Sequence, residues 1–339
     1  MSALMGEASR HTCASTFPPE RFYCLLDELP LQLIPARAPR SKPPARNPQK
    51  VADEARLYLN PHCRLRPAEE IPDELKGSED LLAALARQGT IAWVPNSTGD
   101  LLPFWLGPQL ERIVVSLQRN EIVAHSIPPH TRQTLHAAGI LISDRSTQLQ
   151  DQDRAASIAT AATSFRDKGY APIASLIHPF HVAALRRYYR YAIRTGAIPL
   201  GDRQSPRRYA AHNEPIACFF HHALTKTFSE IAGQPLKPSY VYMASYLSGA
   251  ELRKHKDRAQ CEFSITLCLD FSPEPELATP WPISLDTPNG TVTVYQALGD
   301  GLAYRGTRLT HYRGTLPEGQ TSTSIFFHYV SADFEGPLG

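Results

Sequence analysis

The stretch HKDRAQCEFSITLCLD, residues 255–270, places a histidine and an aspartate two positions apart, directly before a run with the composition of a buried strand. Side chains alternate between the faces of a strand, so residues i and i+2 point the same way. Read as strand, His255 and Asp257 face one cavity and Lys256 faces away. Such a pair holds a metal, shares a proton, or forms an ordinary hydrogen-bonded pair. The choice rests on the rest of the chain.

A chain of 339 residues with 42% hydrophobic content can bury a large core, as one large domain or two ordinary ones. A formal charge of +2 is too small to argue for nucleic acid or an anionic membrane surface. The six cysteines, Cys13, Cys24, Cys63, Cys218, Cys261 and Cys268, show no C-x-x-C spacing, against a zinc ribbon or a disulfide framework. With no apolar leader near the first residue and no stretch approaching 18 apolar residues, the chain reads as soluble and cytoplasmic.

Three regions follow. Residues 1–50, with prolines and basic residues clustered in 29–50, read as a flexible segment. Residues 51–145 read as a small mixed or helical domain, with SEDLLAALARQG (78–89) and LPFWLGPQLERIVVSLQRNE (102–121) as its helices. The polar run STQLQDQDRAAS (146–157) reads as a boundary, and a further domain spans 155–339. His178 and His181, H-x-x-H near a helix start, lack the acidic support of a metal site. From 238 onward, short strands separated by Gly, Pro, Asn and Asp suggest a sandwich or small barrel, and TPNG (287–290) signals a hairpin.

A second histidine, His311, stands late in GDGLAYRGTRLTHYRG (299–314). Two ligands close together and a third from a distant strand make a two-His-one-carboxylate triad, which leaves positions open on a non-haem Fe(II). His255, Asp257 and His311 fit that pattern.

Residues 165–330 resemble the Fe(II)/2-oxoglutarate-dependent oxygenases of the prolyl-hydroxylase and phytanoyl-hydroxylase kind. FRDKGYAPIASLIHPFHVAALRRYY resembles the opening strand and helix, YLSGAELRKHKD the strand carrying H-x-D, LGDGLAYRGTRLTHYRG the turn to the distal histidine, and TSTSIFFHYV the last barrel strand. The resemblance implies an α+β fold: a double-stranded β-helix (jelly-roll) core with flanking helices, preceded here by a mostly helical extra domain. It implies Fe(II) as metal, 2-oxoglutarate and O₂ as cosubstrates, and hydroxylation of an unactivated C–H in a peptide, amino acid or other small molecule. Related halogenases lack the carboxylate ligand, so Asp257 speaks against halogenation.

The family places an Arg or Lys on the closing strand to pair with the distal carboxylate of 2-oxoglutarate. Here that region reads PEGQTSTSIFF, without a cation. Arg313, two residues past His311, is the substitute, with Tyr246, Ser322 and Thr323 as secondary donors. Arg305 and Arg308 come next, and Arg258 is assigned to a substrate carboxylate or to Asp270. Two rival readings are a cupin-like metal-binding or sensor barrel without oxidation, and a peptide-binding protein with a degenerate barrel.

Overall fold

The computed structural model describes residues 22–28, 57–76, 79–96, 98–202 and 204–339. The segment 1–50, read as flexible, lies outside the described residues except for 22–28. That short piece is tied down: Phe22 and Cys24 are fully buried, and Phe22 N donates to Ala84 O at 2.7 Å.

Residues 57–143 are mixed rather than mostly helical. They contain β1 (Tyr58–Leu59), β2 (Arg64–Pro67), the single turn α1 (Glu79–Leu82), β3 (Thr90–Pro95), β4 (Leu101–Leu106), α2 (Pro108–Gln118), α3 (Pro129–Ala137) and β5 (Leu141–Ile142). Strands β2, β3 and β4 form an antiparallel sheet. The sequence concealed it for a physical reason. TIAWVP and LLPFWL are covered on both faces, so they read as continuous apolar runs without a period of two. Helix α2 begins only at Pro108, whose ring suits the first helical turn.

The polar run 146–157, expected as a boundary, lies inside the 25-residue helix α4 (Asp144–Lys168). Its early turns are largely exposed, which explains their polarity, while Ala161 and Phe165 further on are buried. The chain continues through β6 (Tyr170–Ile173), α5 (Pro179–Arg194), β7 (Arg208–His212), α6 (Pro215–Ala223) and α7 (Thr225–Ala232). One buried cluster joins Phe22, Trp93, Trp105 and Leu110 to Phe180 and Phe220 of these helices and to Met243, Ile265 and Phe327 beyond them.

Eight strands complete the fold: β8 (Leu236–Tyr246), β9 (Leu252–His255), β10 (Phe263–Ser272), β11 (Ile283–Thr287), β12 (Gly290–Val294), β13 (Gly301–Tyr304), β14 (Thr310–Arg313) and β15 (Thr321–Ser331). The hairpin expected at 287–290 joins β11 to β12, with Thr287 paired to Gly290. From β8 to β15 the chain passes back and forth between two antiparallel sheets, with the hairpin β11–β12 lying wholly in the smaller one. The six-stranded sheet runs β6-β13-β10-β15-β8-β7 and the four-stranded one β12-β11-β14-β9. One face of the larger sheet packs on the helices through Ile265, Leu267 and Phe327. Its other face carries Tyr240, Tyr242, Tyr246 and Phe326, which pack with Trp281 and Leu316. A register shift between Cys268 and Asp270 brings Phe271 to that inner face beside Cys268.

His178 and His181 serve the core, not a metal. His181 is fully buried, its Nε2 lies 2.8 Å from Pro103 O, and its ring packs on Phe104 at 4.8 Å. His221 is also buried, its Nε2 2.8 Å from His328 O. Burial pushes the pKa of each down to about 3. Both therefore stay neutral in the folded chain but titrate near 6.5 when it unfolds. Below that value the unfolded state binds more protons, so this stability is whole above about pH 6.5 and declines as pH falls towards 3. The slope is about 1.4 kcal/mol per pH unit for each histidine. Thermal melts of the metal-free protein should show a marked loss of Tm between pH 6.5 and 4.5. A flat profile there contradicts the expectation.

Candidate metal centre

His255 ends β9 and is the cross-strand partner of His311 on β14, with ring centroids 4.2 Å apart. The strand stops there, so Asp257 reaches the site from a loop and not, as expected, from a continuing strand. The loop is held by Asp257 N donating to Gly306 O at 2.9 Å. Asp257 Oδ1 lies 3.6 Å from His255 Nε2 and 3.5 Å from His311 Nε2. One donor atom from each of the three residues falls within 4.8 Å of the others. His311 and Asp257 are shielded, with side chains 2% and 11% exposed, while His255 at 38% faces the mouth.

The backbone fixes the ring orientations. His255 Nδ1 lies 2.8 Å from Arg253 O and His311 Nδ1 3.0 Å from Leu309 O. A carbonyl only accepts, so Nδ1 carries the proton in each neutral ring and Nε2 presents its lone pair to the centre. Burial holds the His311 pKa below the ordinary imidazole range, although Asp257 opposes the shift. Two imidazole nitrogens and a carboxylate oxygen suit a divalent iron-type ion with positions left open. On the far side of Asp257, Ser264 Oγ donates to Oδ2 at 3.2 Å and lies 2.9 Å from His328 Nδ1.

Gly306 is required here. A Cβ at that position would lie 2.3 Å from Asp257 Oδ2 and 2.3 Å from the backbone oxygen of Cys261. The second atom cannot swing away. Gly306→Ala should therefore displace Asp257 and weaken metal affinity by about 10–100-fold, the usual cost of disturbing a ligand's support. Metal titration with circular dichroism as a fold control checks this; unchanged affinity contradicts it. No sequence pattern marks Gly306, because the requirement comes from two residues more than forty positions away in the chain.

Arg313 is 5% exposed. Its Nη1 donates to Trp281 O, its Nη2 to Gln296 Oε1 at 3.3 Å, and its guanidinium lies 4.9 Å from the Trp281 ring centroid. Among the described residues it joins no ion pair. Burial works against its charge, and an unpaired buried guanidinium is costly unless an anion joins it. Arg313 does not line the cavity before the triad; Tyr246, Tyr304, His255 and His311 do. It lies behind that wall.

The structure sorts the other expected residues. Tyr246 and Ser322 are cross-strand partners on the inner face, Ser322 beside Phe271. Thr323, one residue on, pairs with Ser245 and Asp270 on the opposite face, and its Oγ1 donates to Ser245 Oγ at 2.8 Å. Strand alternation thus takes it out of the site. Asp270, on that same outer face, accepts from Arg186 at 2.9 Å and from Arg190 at 2.5 Å, so Arg258 is not its partner. Arg305 lies over Phe165 and Phe263 on the helix side. Arg258 does reach the cavity, its guanidinium 4.8 Å from the Tyr240 ring centroid. Sequence reasoning missed Gly306, Ser264, His328 and Gln296.

No family model matches the sequence, and no curated protein matches it. Solved structures do resemble part of the chain. The epimerase SnoN from nogalamycin biosynthesis, in complex with Fe3+, alpha ketoglutarate and nogalamycin RO, aligns over 52% of this chain and 84% of its own, at 13% identity and a TM-score of 0.44. A Pseudomonas putida prolyl-4-hydroxylase aligns over 51% of this chain and 98% of its own, at 16% identity and a TM-score of 0.42. A 2OG-Fe(II) oxygenase family oxidoreductase from Burkholderia pseudomallei aligns over 53% and 92%, at 13% identity and a TM-score of 0.42.

Proposed function

We propose that this chain is an Fe(II)- and 2-oxoglutarate-dependent oxygenase whose two sheets form a double-stranded β-helix. The distribution of β8–β15 over two facing sheets, with four of the eight strands in each, supports the fold reading, being the eight-stranded, two-sheet arrangement of a jelly roll. The observation that carries the function is the pairing of a backbone-oriented His255–Asp257–His311 triad with the buried, anion-lacking Arg313. The triad is the metal site, and Arg313 receives the distal carboxylate of 2-oxoglutarate. Tyr246, which lines the cavity, and Ser322, its cross-strand partner on the inner face, are the secondary donors.

With iron and cosubstrate bound, O₂ converts 2-oxoglutarate to succinate and CO₂ and a substrate C–H to C–OH. The protein orients the ligands through the Arg253 and Leu309 carbonyls, and shields them with Tyr304, whose ring lies 4.7 Å from that of His311. A cavity of about 710 Å³ opens at His255, the size of a small-molecule site or a pocket for one inserted side chain. Adding 2-oxoglutarate anaerobically to the Fe(II) protein should produce a visible charge-transfer band, and admitting O₂ should release succinate. Metal binding without either response would favour the sensor-type barrel.

A further inference from the structure

We propose that the cavity before the triad binds a small organic anion, its apolar or aryl body along the tyrosine wall and its negative group at Arg258 and Lys256. The inference deepens the oxygenase reading, on which this ligand's role as substrate rests. The wall comes from the inner face of β8. Tyr242 packs against Phe326 at 5.9 Å and His212 at 4.4 Å, and all three line the cavity with Tyr240. The hydroxyls are already engaged, Tyr242 donating to Asp202 Oδ2 at 3.0 Å and Tyr240 lying 3.0 Å from Cys261 Sγ. Aromatic carbon is what remains for a ligand.

The charges decide its sign. Arg208 also lines the cavity, but Asp202 and Gln204 take its donors at 2.7 and 2.6 Å. Asp257 turns Oδ1 towards the two histidines. Arg258 and Lys256 line the same cavity and, among the described residues, join no ion pair. Arg258 lies against the Tyr240 ring, which preorganises its planar fork for a carboxylate, sulfonate or phosphate. The positive field registers on His212, whose pKa is lowered first by burial and then by Arg258.

The test uses the full-length, metal-free chain and two probes of one shape, naphthalene-2-sulfonate and the neutral naphthalene-2-sulfonamide, titrated calorimetrically at pH 7.5. The sulfonate should bind at least about tenfold tighter, the effect of one good charge-assisted contact. Arg258→Ala with Lys256→Ala should erase that preference and leave sulfonamide affinity unchanged, while Arg313→Ala should keep it. Equal affinity of the two probes in the unaltered chain overturns the proposal, as does a preference that survives the double substitution. Loss of the preference in Arg313→Ala overturns it too, because the anion then sits in the pocket assigned to 2-oxoglutarate. No metal enters this readout, so a failure of the iron reading appears separately, in the Fe(II) titration.

Discussion

Replacing His311 with alanine should reduce iron binding to background and abolish 2-oxoglutarate turnover. His311 is the most shielded of the three residues proposed to hold the metal, and it is the cross-strand partner of His255, 4.2 Å away ring to ring. Its loss leaves one imidazole and one carboxylate, too few to hold a divalent ion against water at a site where the ligands supply the affinity. Because the side chain is buried, the change carries a cavity and an unpaired Leu309 carbonyl, costing about 1–3 kcal/mol. His255→Ala is the companion variant, being partly exposed and structurally cheaper. Both should lose iron, and His255→Ala should keep its melting temperature within a few degrees. Stoichiometric iron retained in both variants removes the triad from the argument.

Arg313→Ala should raise the apparent KM for 2-oxoglutarate by two to more than three orders of magnitude. Removing one partner of a buried charge pair costs about 3–5 kcal/mol, and each 1.4 kcal/mol is tenfold in affinity. Fe(II) affinity should hardly change, since the guanidinium is not a ligand. Arg313→Lys should recover only part of the loss, because an ammonium cannot reproduce the fork that now spans Trp281 O and Gln296 Oε1. The cosubstrate-free protein provides a second readout. There the arginine is an uncompensated buried charge, so its removal should destabilise far less than deletion of a salt-bridged arginine such as Arg186. Wild-type affinity for 2-oxoglutarate in Arg313→Ala would dismiss the assignment. Arg305 is no substitute, since it stacks on the helix side of the larger sheet.

The contrast between Ser322 and Thr323 shows where reading residues in order stops being sufficient. Both are small hydroxylated residues on one strand, and composition does not separate them. Pairing does: Ser322 meets Tyr246 inside, and Thr323 meets Ser245 outside. A one-residue step changes the face, and only the register fixes which face is inner. Asp257 teaches the reverse. The H-x-D spacing suggests strand alternation, yet the strand ends at His255 and the carboxylate converges through a loop bond to Gly306.

The sequence by itself singled out His255, Asp257 and His311 as a group, the strand-rich region beyond 238, the hairpin at 287–290 and the absence of a cation from the closing strand. Each is a local signal: a spacing, a period, a turn dipeptide or a residue type. Only the tertiary structure decided the sheet within 57–143, the helical character of 146–157, the need for glycine at 306 and the lack of an ion pair at Arg313 among the described residues. These depend on what lies across the fold. A strand covered on both faces loses its period of two, and an exposed helix is as polar as a linker. A glycine can be compelled by atoms more than forty residues away, and a buried charge shows as unpaired only when its surroundings are in place.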